Sequence, residues 1–503
     1  MDFLSYCLII PCLFSIWYFS VQALRSNRKR LLPPGPKPFP IIGNLLELGN
    51  KPHLSLTNLS QRPHYFFATR TNNHGCSFFI NRGKRACDLR QDSLPWIPAS
   101  DRWRNLRKIC NNQLFATKVL NANQANRHLK VQELIADVNE SVVKGKAVEI
   151  GRAAFKTTLV TSRPGADYFS GPLHHRSTIL SVLGPDHALT VLFLGTHEQL
   201  PSGSPIMGVL WPPSRLTLEF RRNPKPVGRE FKEIVWGLME EAGKPNFGDY
   251  FPLLRKLDPQ GIRGRMIKHF LKIDSLFDRM ITQRLELRKS NDDVTNNDML
   301  DSLLNIGGVS NEDMDKLLIE HLLLSLFVAG TDTISATLEW AMAELLRNPE
   351  KLSKTQEELD QVIGKGKPTL RLHPAAPLLL PPKAKQDVEI CAYIVPKGAQ
   401  VLVNAWAIGR YPCIWDNPTS FAPERFFRLD DQIDVLGKNF ELILFGGGRR
   451  ICPGLPLAMQ MLHLILGSLI NSFNWKLEDG IIQENMNMEE KFGLTLQMAQ
   501  PLI

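Results

Sequence analysis

No Cys-x-x-Cys pair occurs in the chain, although it holds eight cysteines, at positions 7, 12, 76, 87, 110, 391, 413 and 452. That absence argues against a zinc module and a disulfide scaffold, and for a reducing compartment. No internal repeat is visible. No basic stretch is interleaved with aromatic residues, so a nucleic-acid partner is not expected despite a formal net charge of +10. The positive charge is spread along the chain and suits a cytosolic face near anionic lipid or an acidic partner. What is present is globular: 43% hydrophobic and 22% charged residues over 503 positions, enough for one large domain or several ordinary ones.

The most informative stretch is 445–454, Phe-Gly-Gly-Gly-Arg-Arg-Ile-Cys-Pro-Gly. Glycines allow positive φ and close approach of the backbone to a flat ligand. One cysteine follows two arginines, and nearby positive charge favours the thiolate, a strong ligand for iron. Pro453 and Gly454 let the chain leave sharply into an apolar run, 455–470, that reads as a helix. The pattern Phe-x-x-Gly-x-Arg-x-Cys-x-Gly resembles the haem-binding loop of the cytochrome P-450 family. The resemblance implies a mainly α fold with small β-sheets, haem b as cofactor, Cys452 as axial thiolate, and Arg450 on a haem propionate, with Phe445 and Gly454 framing the loop.

Residues 3–24 carry no charge and are mostly apolar, about the length that spans a bilayer. The short segment before them has Asp2 and no base, whereas Arg25, Arg28, Lys29 and Arg30 follow. This favours an uncleaved anchor (1–24), a single pass with the remainder in the cytosol, over a cleaved signal. A basic, proline-rich hinge (25–40) comes next, stiffened by Pro33, Pro34, Pro36, Pro38 and Pro40. It resembles the hinge of microsomal members of the family, which implies the endoplasmic reticulum membrane and contact with its lipid. The catalytic domain is expected over 41–503.

Two stretches depart from the family pattern. Residues 62–92 lack a sustained period of 2 or 3.6. Residues 160–228 are punctuated by nine prolines between Pro164 and Pro226 and cannot be a run of helices. Between them, Trp103 and Arg107 stand four apart on one predicted helix face. An indole N–H and a guanidinium can both donate to a propionate, and the family's Trp-Arg-x-x-Arg implies that role for them.

The run 317–346 is apolar and almost free of breakers, which predicts a long buried helix. Inside it lies Ala329-Gly330-Thr331-Asp332-Thr333. An acid and hydroxyls in an apolar helix are costly unless they bond or work, and Gly330 loosens the local ladder. The segment resembles the family's oxygen-binding motif, which implies that Asp332 and Thr333 organise water and relay protons. The plainer alternative is hydroxyls bonded back to their own helix.

Further on, Arg371 stands where the family has Glu-x-x-Arg, but Pro368 occupies the glutamate position and most of the helix before 369 is missing. Arg425, in Pro-Glu-Arg-Phe, would share that carboxylate. Arg371 and Arg425 are therefore expected to lack an ion-pair partner, at a cost of roughly 3–5 kcal/mol. The interval 387–403 alternates like paired strands about the turn at Pro396-Lys397-Gly398. The turn 492–495 is expected to enter a substrate pocket together with Phe327, Val328, Ala329, Ala376, Leu378 and Leu494, apolar residues that suggest a greasy substrate.

Running text such as 234–237 and 451–456 is similar to plant microsomal members of the geraniol hydroxylase-like group. The resemblance implies a monooxygenase that inserts one atom of O₂ into a C–H bond of a small apolar substrate, a monoterpenoid such as geraniol. Electrons would come from NADPH through an NADPH-cytochrome reductase docked on the basic face near the thiolate. Two alternatives stay open: a haem-thiolate isomerase or dehydratase that needs no reductase, and a defective product that holds little haem.

Overall fold

The computed structural model describes residues 45–60, 94, 97–161, 257–290, 316–357, 367–390, 393–426, 433–477, 481–493 and 495–503, with parts of 234–241 and 300–305. The anchor, the hinge, nearly all of both out-of-pattern stretches, and the side chains of Pro368 and Leu494 lie outside the described residues.

The labelled helices are α1 (Pro52–Ser60), α2 (Asp101–Ile109), α3 (Gln124–Val143), α4 (Ile150–Thr161), α5 (Ile262–Ser290), α6 (Lys316–Arg347), α7 (Pro349–Glu357), α8 (Lys367–Leu372), α9 (Ala405–Ile408) and α10 (Leu455–Ser472). Two short antiparallel pairs complete the framework: β1 (Val388–Ile390) with β2 (Tyr393–Val395), and β3 (Glu490–Lys491) with β4 (Gln497–Met498). The fold is mainly helical, helix packed on helix.

Each helix that carries the site starts for a local reason. Ser100 caps α2 by accepting the Trp103 N–H at 3.3 Å, with Asp101 in the first turn and Arg107 and Lys108 in the last, matched to the helix dipole. At its end the chain slackens into one π-helical turn, Cys110–Leu114. Gly454 opens α10 with a proline in the first turn, where a missing N–H costs nothing.

Helix α6 is apolar nearly all round because it is buried nearly all round. Its first half packs with α2 and α5 in one core cluster that includes Trp103, Phe277, Leu323 and Phe327. Its second half joins α3, α4 and α10 in another that includes Ile334, Trp340, Met461 and Ile470. Residues 329–333, the seam, belong to neither cluster, and Val328 packs on the edge of the first. By length and composition α6 and α10 would pass for membrane spans, but both pack into this core.

The strand region differs from expectation in register. Strand β1 pairs with β2 directly, Val388 opposite Val395 and Ile390 opposite Tyr393. The turn at Pro396–Ala399, with Gly398 at φ +86°, instead returns the chain alongside residues 382–384: Ala384 N–H donates to Ala399 O at 2.8 Å, and Val401 N–H to Pro382 O at 3.0 Å. The pairing of 387–403 is thus split between two partners, β1 with β2 and 399–401 with 382–384.

Candidate functional site

The loop 445–454 folds on itself through the Cys452 N–H, which donates to Phe445 O at 2.9 Å. Gly446 (φ +74°) and Gly448 (φ +61°) adopt the left-handed backbone that this tight return requires. Phe445 and Ile451 anchor the loop on a small cluster of Trp415, Phe426, Val435, Leu442 and Leu455. Cys452 itself stays accessible. Protein crowds it on most sides, and that desolvation pushes its thiol pKa up, opposed by the N–H groups of Gly454 and Leu455 and the charge of Arg107. An accessible yet enclosed thiol is one that lines a recess. A Cβ on Gly454 would lie 3.9 Å from the sulfur, an ordinary contact distance.

Helix α2 is brought against this loop. The Arg107 guanidinium donates to Ile451 O, and the Arg450 guanidinium to Ile97 O at 2.8 Å. Both guanidiniums lie on the Trp103 indole, at 5.9 and 4.8 Å from its centroid, and Trp103 is 6% exposed. Burial lowers the pKa of both arginines, and Arg107 lowers that of Arg450 further. Among the described residues no carboxylate pairs with either. Two cations converge beside a thiol with only carbonyls and an indole for company, which is an anion-binding arrangement.

The notch in α6 is the other wall. Ala329 is exposed and Gly330 and Thr333 half-exposed in an otherwise buried helix. A Cβ on Gly330 would find nothing within 4 Å. Thr333 donates its hydroxyl to Ala329 O at 2.6 Å, so the bond back to its own helix forms. Its oxygen lone pairs remain able to accept from the open side. Asp332, a quarter-turn round, is 3% exposed. Burial raises its pKa, opposed by hydrogen bonds from Thr495 and Gln497. The accessible sulfur, the two unneutralised guanidiniums and the clearance over Gly330 together fit a haem with acidic side chains.

The residues named for a substrate pocket do not all gather there. Phe327 is 3% exposed and stacks on Phe277, its centroid 6.0 Å away, inside the core. Leu378 is buried with Leu48 and Leu56. Val328 and Ala376 are half-buried, Ala329 is exposed, and Leu494 lies outside the described residues.

Arg371 is 1% exposed. Its guanidinium donates to three backbone carbonyls: Gly409 O, Pro418 O at 2.7 Å and Ser420 O at 2.9 Å. It also lies 5.2 Å from the Trp415 ring centroid, and its Nε has no partner. Burial holds its pKa down at about 9, with Arg425 and Arg410 adding repulsion. Arg425 donates to Asp416 O at 2.9 Å and to Ala422 O at 3.2 Å. Among the described residues both guanidiniums hydrogen-bond to backbone carbonyls and to no carboxylate.

One polar cluster gave no signal in the sequence. Glu490, on β3, accepts from Trp406 Nε1 at 2.9 Å and Arg410 Nη2 at 3.4 Å, and lies 3.0 Å from His53 Nε2 and 3.5 Å from His373 Nδ1. These donors hold its carboxyl far below the usual range despite burial. His373 in turn reaches Glu344 at 2.8 Å and stacks on Trp340 at 3.9 Å. Its members come from five regions, so no local spacing could have linked them.

Comparison with known proteins places this geometry. Residues 215–501 match the family model described as Cytochrome P450. The chain is 42% identical to the geraniol 8-hydroxylase of Catharanthus roseus over 542 aligned positions, covering 100% of this chain and 99% of that protein. It is likewise 42% identical over 541 positions to the geraniol 8-hydroxylase of Swertia mussotii, and 39% identical over 519 to the drimenol monooxygenase of Persicaria hydropiper, which covers 95% of this chain and 93% of that one. An alignment of 542 positions exceeds the 503 residues available, so the first relative holds segments with no counterpart here.

Proposed function

The chain belongs to the cytochrome P450 family and is a monooxygenase, and from that premise we propose that it hydroxylates a small terpenoid alcohol of the geraniol type. The overall change is RH + O₂ + NADPH + H⁺ to ROH + H₂O + NADP⁺, one oxygen atom leaving as water. Haem b, when bound, supplies the activation of O₂. We assign its iron to the Cys452 sulfur and its propionates to Arg107, Arg450 and the Trp103 indole. Arg107 and Arg450 bring two charges that no acid of the described chain neutralises, so an anionic edge is drawn there and oriented. Gly330 leaves room on α6, where a Cβ would meet nothing within 4 Å.

Thr333 Oγ1 is the assigned proton-handling atom, its own hydrogen given to Ala329 O and its lone pairs turned to water in the notch. The apolar flanks on both sides of the seam exclude bulk water. Electrons reach the site through a reductase at the membrane, for which the exposed Arg449 beside the cysteine offers an acidic partner a landing point. An N-terminal anchor in the endoplasmic reticulum would keep both proteins, and a greasy substrate, on one surface.

The observation that carries this reading is the accessible Cys452 thiol beside two unneutralised guanidiniums. A reduced carbon monoxide difference spectrum tests it: purified protein should show a thiolate–iron band, and Cys452→Ala should abolish it. A band that survives this substitution means another ligand. Turnover of geraniol with NADPH and reductase tests the substrate class. A second reading, a defective product that folds poorly and holds little haem, is favoured by Arg371, whose buried guanidinium hydrogen-bonds to carbonyls alone among the described residues; absence of the band with aggregated protein would select it.

A further inference from the structure

An acid inside an apolar helix must answer to something, and in α6 it answers away from the notch. Thr495 donates its hydroxyl to Asp332 Oδ2, and Gln497 Nε2 donates to Asp332 Oδ1 at 3.1 Å. Residues 495 and 497 are two apart in an extended segment, so their side chains share a face. Asp332 meets that face with both oxygens. The intervening residue is held independently through its backbone: Leu496 N–H donates to Ala375 O at 3.0 Å, and Trp340 Nε1 donates to Leu496 O at 3.0 Å. Further along, Leu502 N–H donates to Glu339 at 3.0 Å. The C-terminal segment is therefore strapped along α6, and Asp332 is the strap point next to the notch.

We propose that Asp332 is a positioning residue: its carboxyl group clamps Thr495 and Gln497, and so fixes the turn 492–495 against α6 where substrate must lie. Each carboxyl oxygen accepts one hydrogen bond in this clamp, and the side chain is buried, while the Thr333 hydroxyl occupies the open face. Proton traffic in the notch then belongs to Thr333 and water. Specificity follows from the clamp, because a turn held at one residue beside the oxygen-activating helix decides which carbon of an apolar ligand can approach. The proposal rests on the turn's belonging to the substrate pocket, and the clamp itself does not.

The test uses full-length protein with Asp332→Ala, Asp332→Asn, Thr495→Val and Gln497→Leu. Amide hydrogen exchange of the 490–503 segment reads the clamp without catalysis. Loss of a buried hydrogen-bond pair should speed exchange roughly tenfold in Asp332→Ala and Thr495→Val. Asp332→Asn, which keeps two hydrogen-bonding atoms on the same stem, should restore slow exchange. With geraniol as probe, KM should rise roughly fivefold and the product ratio should shift in Thr495→Val as in Asp332→Ala, with Asp332→Asn restoring KM. Gln497→Leu gives a milder version should Thr495→Val fail to fold. Native exchange in both Asp332→Ala and Thr495→Val overturns the clamp. Fast exchange with native KM and product ratio leaves the clamp standing and refutes its service to the pocket. Native behaviour of Thr495→Val beside an inactive, slowly exchanging Asp332→Asn would make Asp332 a proton relay and overturn the proposal.

Discussion

Restoring a glutamate at 368 should stabilise this protein. Pro368 stands three residues before Arg371, one turn back on α8. The Arg371 guanidinium is held at about 9, against roughly 12.5 for a free arginine, and burial is the first cause. At 1.36 kcal/mol per pH unit the buried charge costs roughly 5 kcal/mol, an upper figure because the carbonyls of Gly409, Pro418 and Ser420 already take its protons. A carboxylate one turn away should recover roughly 2–3 kcal/mol of this. Losing a proline suited to the first helical turn costs under about 1 kcal/mol. The net of about 2 kcal/mol should raise the melting temperature of Pro368→Glu by roughly 2 °C, followed by circular dichroism. In a double-mutant cycle, Arg371→Met should cost more beside Glu than beside Pro, by at least about 1 kcal/mol. Because the folded-state pKa lies below the unfolded one, the penalty is complete at neutral pH and is relieved only as pH climbs from about 9. The native chain should therefore gain on Pro368→Glu between pH 8 and 10. An unchanged or lower melting temperature, with coupling under about 0.5 kcal/mol, would show that the carbonyl cage satisfies Arg371 and that the missing glutamate is no defect.

Two further substitutions probe the same core. Burial pushes the Glu339 carboxyl up to about 7, although it accepts from the Leu502 N–H. An acid raised on folding is penalised above its folded pKa and unpenalised below the unfolded one, so Glu339→Gln should raise the melting temperature at pH 8 and leave it nearly unchanged at pH 4.5; equal shifts at both values would rule out titration as the cause. Gly409 lies so close to Arg371 that a Cβ there would overlap its carbonyl oxygen. Gly409→Ala should thus destabilise by about 1–3 kcal/mol, read from urea midpoints, and a neutral midpoint would mean that the α8–α9 contact yields easily.

Some of this was legible in the residues because it is local. Turn glycines, a cysteine and two arginines within ten positions dictate a tight basic loop wherever it sits, and an unbroken apolar run of some thirty residues has to be a buried helix. Cys452 and the α6 notch were therefore readable, as was the loss of the carboxylate partner of Arg371, since it follows from proline standing where glutamate would. Other choices depend on which distant segments meet. Asp332 needs a partner by its chemistry, but nothing within reach along the chain names Thr495, which is 163 residues away. Phe327 reads as a pocket residue by its place in the motif, yet it turns into the core because α5 supplies Phe277 on that side. Glu490 looks like one surface acid among many until four donors from distant parts of the chain close on it. Sequence alone determined the loop, the helix and the chemistry they demand, since backbone conformation and hydrophobic periodicity act over a few residues. Only the tertiary structure decided the partners, because hydrogen bonds and burial are settled by proximity in space.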